Sequence, residues 1–373
     1  MNRIISFLKK DVLLSVSAFL ALVSVLSTGF SAERFMALDW KTIAILSMLL
    51  SVLEGFKKES LFDPLLRAAD RIGGTFALSS FLVFSVFILS PIVTNDVALI
   101  TFVPMTIMVL RNAEKERFTA PVVAIETIAA NLGSVLTPFG NPQNLFIYGK
   151  MGIRASEFML MMLPLFLFSL ALIAASLAFV FRNDMRDRIY IHREREEKER
   201  NSGLSMLYIC LFVAVLLSVF GLFPFQSIFL VVLAVLIVFD RPVLRRIDYP
   251  LLATFLCFFV FSDAVSSSES VKGVLSGAMH DHGFLIPLIA CQAISNVPAA
   301  ILLEPFSGNL RALLLAVDIG GLGTPIASLA SLISLRAFMK EYPGLKGEYL
   351  KVFTLLNLAF LALSVPFGLL LSR

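Results

Sequence analysis

The sequence predicts an all-α membrane protein: two inverted repeats with about nine spanning helices, two re-entrant hairpins and two broken helices. Three observations carry that expectation. The composition is too apolar for a soluble domain, the positive charges fall in alternate loops, and one ordered set of polar motifs occurs twice.

Of 373 residues, 58% are apolar, 35 are Phe and only 16% are charged. A soluble chain of this length needs far more polar surface to cover its core. Long apolar runs recur at 11–30, 158–181, 205–221, 227–239 and 350–371. Several approach the ~20 residues that a helix needs to cross the hydrocarbon. Arg3, Lys9 and Lys10 before the first run, with Ser31-Ala32 after it, imitate a signal peptide. The many spans that follow predict a retained first helix instead.

In chain order, spans are expected near 13–30 and 40–55, a hairpin over 72–111, a broken helix over 120–148 and a span over 158–181. These form a first repeat, 1–181. A charged stretch at 182–204 reads as a solvated cytoplasmic linker with helical charge pairing. Spans near 205–221, 225–240 and 249–267, a hairpin over 271–310, a broken helix over 312–335 and a span over 350–371 complete the second repeat, 205–373, which has one extra span. With the N-terminus inside, 24 of the 31 Lys and Arg fall in cytoplasmic segments (1–12, 56–71, 111–118, 182–204, 241–248 and 336–351). By the positive-inside rule the protein is a multi-pass protein of the inner (plasma) membrane, its C-terminus on the opposite face. The net charge of +4 is therefore a matter of topology and gives no reason to expect nucleic acid.

The repeat is read from matched landmarks. Asp39-Trp40 precedes Glu54 by the same interval that separates Asp248-Tyr249 from Asp263. Thr94-Asn95-Asp96 matches Ser295-Asn296-Val297, and Thr137-Pro138 matches Thr324-Pro325, the only two Thr-Pro dipeptides in the chain. Asn131 then aligns with Asp318, Asn141 with Ser328 and Asn144 with Ser331. Because the two copies run in opposite senses, this is an inverted-topology duplication of the kind common in secondary transporters.

Each copy interrupts apolar helices with polar, Pro and Gly residues, at 94–96 and 137–144 and again at 295–298 and 320–331. Irregular backbone at membrane depth must face protein or a wet cavity. Carbonyls released there suit a cation, and amides at half-helix starts suit an anion. The candidate site is Asn95, Asp96, Thr137, Asn141 and Asn144 in one half, with Ser295, Asn296, Asp318, Thr324 and Ser328 in the other. Glu54, Asp96, Glu126, Asp263 and Asp318 are the intramembrane acids, expected to have no Lys or Arg beside them at depth. Acids so placed usually face the interior and serve a purpose. Asp96 and Asp318 adjoin the breaks and are the first coupling candidates, with Glu126 as a third; Glu54 and Asp263 read as structural. Cys210, Cys257 and Cys291 lie in apolar runs without a CxxC pattern, and His192, His280 and His282 are expected in polar loops, so no resident metal or cofactor is expected.

The segments TNDVALITFVP, GSVLTPFGNPQNLFIY, SNVPAA and DIGGLGTPIASLASL together resemble the ion transporter superfamily. That group contains arsenite pumps, sodium/proton antiporters, citrate-transporter-like permeases and divalent-anion/sodium symporters. The resemblance implies two hairpin tips, at Asn95 and Asn296, facing two unwound segments with substrate and coupling ion between them. Residues and resemblance together predict a secondary transporter, not an enzyme, for a small anion, an oxyanion or a neutral weak acid. H+ or Na+ would be the coupling ion, membrane lipid the surroundings, and a homodimer is compatible with the sequence. A sodium/proton-type cation antiporter is the alternative, ahead of an intramembrane enzyme or a passive channel.

Overall fold

The structure, a computed structural model, describes residues 12–29, 31–69, 72–185, 187 and 201–373. The charged linker expected at 182–204 and His192 lie mostly or wholly outside these residues. So does the stretch preceding the first helix. The described helices are α1 (Val12–Thr28), α2 (Ala32–Ala37), α3 (Trp40–Lys58), α4 (Asp63–Ala69), α5 (Thr75–Val93), α6 (Asn95–Asn112), α7 (Thr119–Gly133), α8 (Pro142–Met151) and α9 (Ala155–Val180). Then follow α10 (Ser202–Val219), α11 (Phe225–Phe239), α12 (Tyr249–Ser267), α13 (Glu269–His282), α14 (Leu285–Ile294), α15 (Asn296–Leu303), α16 (Leu310–Gly320), α17 (Leu329–Glu341) and α18 (Lys346–Leu371). The protein is all-helical, with no β-strand among the described residues.

Among the described residues, six helical stretches are long and apolar enough to cross a bilayer: Thr75–Val93, Glu116–Leu136, Ala155–Val180, Ser202–Val219, Tyr249–Ser267 and Pro343–Leu371. The pair Val271–His282 and Leu285–Ile294, bent by 117°, would make a seventh. The two expected hairpins differ in reach. α5 has 19 residues and α14 only 10. At 1.5 Å per residue these are about 28 Å and about 15 Å, so only α5 has the length of a bilayer core. His280 and His282 sit in the last turn of α13, not in a loop, because the helical run extends as far as Gly283.

Local chemistry sets the helix starts. Asp39 and Asp248 cap α3 and α12, accepting from the amides of Thr42 and Leu251 at 3.0 Å each. Such caps satisfy donors that the first turn leaves free. The two caps share a backbone conformation (φ −73°, ψ 69° and φ −76°, ψ 76°), and both helices run 19 residues. α7 is the innermost helix, buried throughout 122–133 and packed by α5, α6, α9, α17 and α18. Ala129, Ala130 and Gly133 let its neighbours approach. A Cβ on Gly133 would lie 2.3 Å from the Phe87 carbonyl oxygen of α5. Outside this core, α1 packs along α12, while α10 and α11 pack on α3.

Contacts between loops sort into two sets. In one, Lys58 meets Asp240 at 2.6 Å, the Asn201 amide reaches Glu59, Lys115 meets Asp187 at 2.7 Å, Arg117 pairs with Asp184, and Arg111 meets Glu341 at 3.4 Å. In the other, Asp39, Lys41, Tyr148 and Lys150 share one pocket, and Asn309 donates to the Ser372 carbonyl at 3.2 Å. Of the Lys and Arg in these contacts, Lys58, Arg111, Lys115 and Arg117 belong to the first set, the more charge-rich, and Lys41 and Lys150 to the second. Glu54 departs from expectation: Lys57, three residues on, pairs with it at 2.5 Å. One helical turn brings the ammonium back over the carboxylate.

Asp240, just past the end of α11, is buried and accepts from Lys58 at 2.6 Å and the Tyr208 hydroxyl at 2.7 Å. Burial pushes its carboxyl up, but the bonds from Lys58 and Tyr208 outweigh that and hold it below the usual carboxylate range. Its stabilisation is therefore complete above the unfolded carboxylate value, ~3.9, and is lost as pH falls through the lower folded one. Asp240→Ala should lower thermal stability in detergent by about 1–3 kcal/mol at neutral pH and flatten its acid dependence. An unchanged melting curve would show that the Lys58–Asp240–Tyr208 contact contributes nothing.

Candidate functional site

Two breaks, two hairpin tips and one small cavity make up the candidate site. α7 ends at Gly133 and α8 begins at Pro142; α16 ends at Gly320 and α17 begins at Leu329. Between them the chain leaves the helical path, as the Thr-Pro dipeptides predict. Thr94 joins α5 to α6 and Ser295 joins α14 to α15, each as a single non-helical residue with φ 74° and ψ near 150° (151° and 156°).

Each tip is tied to its own break by the same bonds. The Asn95 amide donates to the Gly140 carbonyl at 3.1 Å, and the Asn296 amide to the Ala327 carbonyl at 2.9 Å. The Asn95 side-chain oxygen accepts from the Asp96 amide at 2.9 Å; that of Asn296 accepts from Val297 at 3.0 Å. The Thr137 hydroxyl donates to the Pro91 carbonyl at 2.5 Å, and that of Thr324 to the Gln292 carbonyl at 3.0 Å. Asn141 and Ser328 then cap the following half-helices, accepting from the amides of Asn144 at 2.9 Å and Ser331 at 3.1 Å. Every one of these pairs is a pair of sequence-matched positions.

Across the two halves the bonds are reciprocal. Asn131 of α7 donates to the Ser328 hydroxyl of the second break at 3.1 Å. Its counterpart Asp318, on α16, accepts from Asn141 of the first break at 3.3 Å. Gln143 adds a second donor to the same Asp318 oxygen at 3.1 Å. The other Asp318 oxygen is buried without a protein partner, and so is one oxygen of Asp96.

The cavity, about 30 Å³, is lined by Asn95, Asp96, Gln143, Thr254, Ser295 and Asn296, with Phe255 and Phe258 of α12 on its apolar side. No Lys, Arg or His is among the described lining residues. α6, α8, α15 and α17 all begin at its wall, at Asn95, Pro142, Asn296 and Leu329. Asn95, Asp96, Ser295 and Asn296 thus face one space, while Asn141 and Asp318 stand behind Gln143. Thr137, Asn144, Thr324 and Ser328 do not line the cavity and hold backbone or the neighbouring half instead. Asn144 donates towards the carbonyls of Ser134, Val135 and Thr137 at 3.3–3.5 Å. Glu126 is apart from the cavity and accepts from the Thr106 hydroxyl at 2.5 Å. Asp263 lines a separate pocket that also holds Arg34.

Two glutamines escaped the sequence reading. Gln143 sits in plain view inside GNPQN, between two residues that were chosen. Gln292 lies three residues before the second tip; its amide donates to the carbonyls of Gly320 at 2.8 Å and Leu322 at 3.0 Å, and its oxygen accepts from the Thr324 amide at 3.0 Å. Nothing in its apolar context signals that role. No group of three or more His, Cys, Asp or Glu able to hold a metal occurs among the described residues.

These features define a polytopic membrane protein with an enclosed polar site between interrupted helices. The profile of the citrate transporter family, CitMHS, matches residues 4–311, and the chain belongs to this family of membrane transporters. It is 31% identical over 328 residues to the uncharacterized transporter MJ0456 of Methanocaldococcus jannaschii, covering 87% of each chain. It is 32% identical over 307 residues to the inner membrane protein YbiR of Escherichia coli K12, covering 80% of each.

The breaks depend on close backbone approach. A Cβ on Gly140 would lie 2.1 Å from the Ser134 carbonyl oxygen, whereas Gly149, exposed on α8, has nothing within 4 Å. Gly140→Ala should therefore cost about 1–3 kcal/mol or more through overpacking against rigid backbone. Gly149→Ala should be neutral or stabilising by up to about 1 kcal/mol. Thermal unfolding of the two purified variants distinguishes the outcomes, and equal melting points would mean that the first break is free to relax.

Proposed function

We propose that this protein is a secondary active transporter of the inner membrane that carries a small anion or oxyanion, or a neutral weak acid, coupled to H+ or Na+. The observation that carries this reading is the convergence of four helix N-termini on one cavity. Each helix start carries about half a positive charge, so the cavity favours an anion although most first-turn amides at the tips are already bonded. Asp96 shares the cavity wall and has a buried oxygen without a partner. A carboxylate in that position needs a proton or a small cation beside it, which is what coupling supplies. Asp318, bonded through Gln143 to the same wall, is the second such acid. The same two oxygens also favour the second reading, a sodium/proton-type antiporter in which no anion binds.

In this reading the repeats 1–181 and 205–373 are related by a two-fold axis in the membrane plane. The matched caps, tips and breaks support it, as do the reciprocal Asn131–Ser328 and Asp318–Asn141 bonds, since a two-fold relation makes contacts mutual. α1, α3, α7–α8, α9, α10, α11, α12, α16–α17 and α18 would be the nine spans, and α5–α6 and α14–α15 the hairpins. The charge-rich loop set would be cytoplasmic. Location in the inner membrane also accords with the name of the E. coli relative.

A thermal-shift screen of the purified protein against small anions, with and without Na+, identifies the cargo, because a ligand of the native state raises its apparent stability. In proteoliposomes, Asp96→Asn and Asp318→Asn should each abolish gradient-driven uptake while leaving the protein folded, since Asn keeps the shape but not the charge. Exchange of cargo across the membrane should survive in at least one of them. Full uphill transport in both variants would remove the coupling role from these acids.

A further inference from the structure

Glu126 is fully buried on α7, outside the cavity, and the coupling scheme above makes no use of it. One of its oxygens accepts from Thr106 of α6; the other has no protein partner. It is not alone. The hydroxyls of Thr119, Tyr342 and Tyr349 and the side-chain oxygen of Asn357 are also buried without a well-formed hydrogen bond to protein: Tyr342 and Thr119 have each other within reach, and Tyr349 has Thr127, whose hydroxyl is given to the Val123 carbonyl. Thr119 and Glu126 lie seven residues apart on α7; Tyr342 and Tyr349 have the same separation on the chain leading into α18. Two turns of helix separate such levels by about 10 Å. At the outer level the Tyr342 hydroxyl lies beside Thr119, and at the inner level the Tyr349 hydroxyl lies beside Thr127 and within electrostatic reach of Glu126. Tyr342 directly follows Glu341, which pairs with Arg111 in the charge-rich loop set. Asn357 stands eight residues beyond Tyr349 on α18, and because Tyr342 and Tyr349 follow Thr119 and Thr127 in the same order, that is the direction in which α7 runs to its end at Gly133.

Buried polar atoms in native proteins are almost always satisfied by protein or ordered water. A file of hydroxyls and carbonyl oxygens so placed around one carboxyl is therefore chemistry for water molecules and a proton. Among the described residues, Thr106 faces Glu126 from α6 and Tyr349 from α18, and no Lys or Arg stands beside it. We propose that Thr119, Tyr342, Tyr349, Glu126 and Asn357 line a hydrated proton path from the charge-rich face to the breaks, separate from the cargo cavity, with Glu126 as its proton-holding station. The proposal rests on the transport reading, of which it specifies the H+ form. It adds that proton and cargo enter by different routes. Glu126 holds a proton on one oxygen and accepts from Thr106 on the other. The proton passes along water to the next oxygen and is replaced from the loop side, so no other reactant is needed.

The test is infrared difference spectroscopy of the whole purified protein in detergent, without cargo, on transfer from H2O to D2O. The native protein should show a protonated-carboxyl stretch that disappears in Glu126→Gln and exchanges rapidly. Tyr342→Phe and Tyr349→Phe remove one oxygen each from the file. They should slow that exchange tenfold or more while near-native melting points show that the core is intact. In proteoliposomes, Glu126→Gln should lose uptake driven by a pH gradient and retain cargo exchange. A band unaffected by Glu126→Gln, or a Glu126 band that exchanges equally fast in both Tyr variants, overturns the path. Failure of the transport reading would show differently: no ion gradient would drive uptake by the native protein, whatever the infrared result.

Discussion

Everything at the centre of this molecule follows from the requirement that interrupted helices at membrane depth find partners for their backbone. Thr94 and Ser295 show what that requirement imposes. Both occupy a region of φ and ψ that is essentially reserved for glycine, at a cost on the order of 1–3 kcal/mol each. Such strain survives only where surrounding contacts over-determine it. Here they do, since the next amide, the next side-chain oxygen and a Thr hydroxyl of the facing break all close onto the tip. The result is a reversal of the chain in one residue that aims a helix start at the cavity.

The sequence-matched positions share local geometry more faithfully than chemistry. Asn131 and Asp318 occupy matched positions and make matched cross-bonds, but only one of them can carry charge. Asn and Asp have nearly the same shape, so the hydrogen-bond frame is kept while a second carboxylate, which would repel the first, is avoided. The backbone of the breaks is secured just as unevenly. In the first half Asn144 reaches back to three carbonyls; in the second the matched Ser331 is too short, and Gln292 does the work from the hairpin. The second tip is therefore bound to its break more firmly than the first, where Pro91 stands in place of Gln292.

Much of this was legible in the sequence, for reasons that can be named. Asp39 and Asp248 read as caps because their oxygens satisfy first-turn amides. The Thr-Pro dipeptides read as breaks because Pro removes a donor, and the tips were marked by Asn at matched positions. What could not be read was direction. Thr137, Thr324, Asn144 and Ser328 are polar residues at the right place whose bonds turn towards backbone and not into the cavity. Gln143 does the opposite. A motif says that a helix is interrupted there; it does not say which side chain closes the interruption and which is left over for a ligand. The reach of the first hairpin was equally hidden, because its depth depends on α5 continuing unbroken to Val93 through Pro91. Lys57 was counted as a loop charge, yet one turn of helix folds it onto Glu54.

The cavity itself explains why the tips are built as they are. Four helix starts surround a space of about 30 Å³, little more than the room for one water molecule. Their positive ends repel one another, and the Asp96 carboxyl among them is the only acidic side chain in that wall among the described residues. A multi-atom anion does not fit unless a tip and a break draw apart. The contacts that resist such separation are an amide-to-carbonyl bond and a Thr hydroxyl bond in each half, with the Ser295 hydroxyl and Gln292 as reinforcement in the second. Each bond contributes about 1 kcal/mol net, and relief of the strained residue at the tip returns a comparable amount. The first half lacks the Gln292 brace, so fewer bonds hold its tip to its break than hold the second.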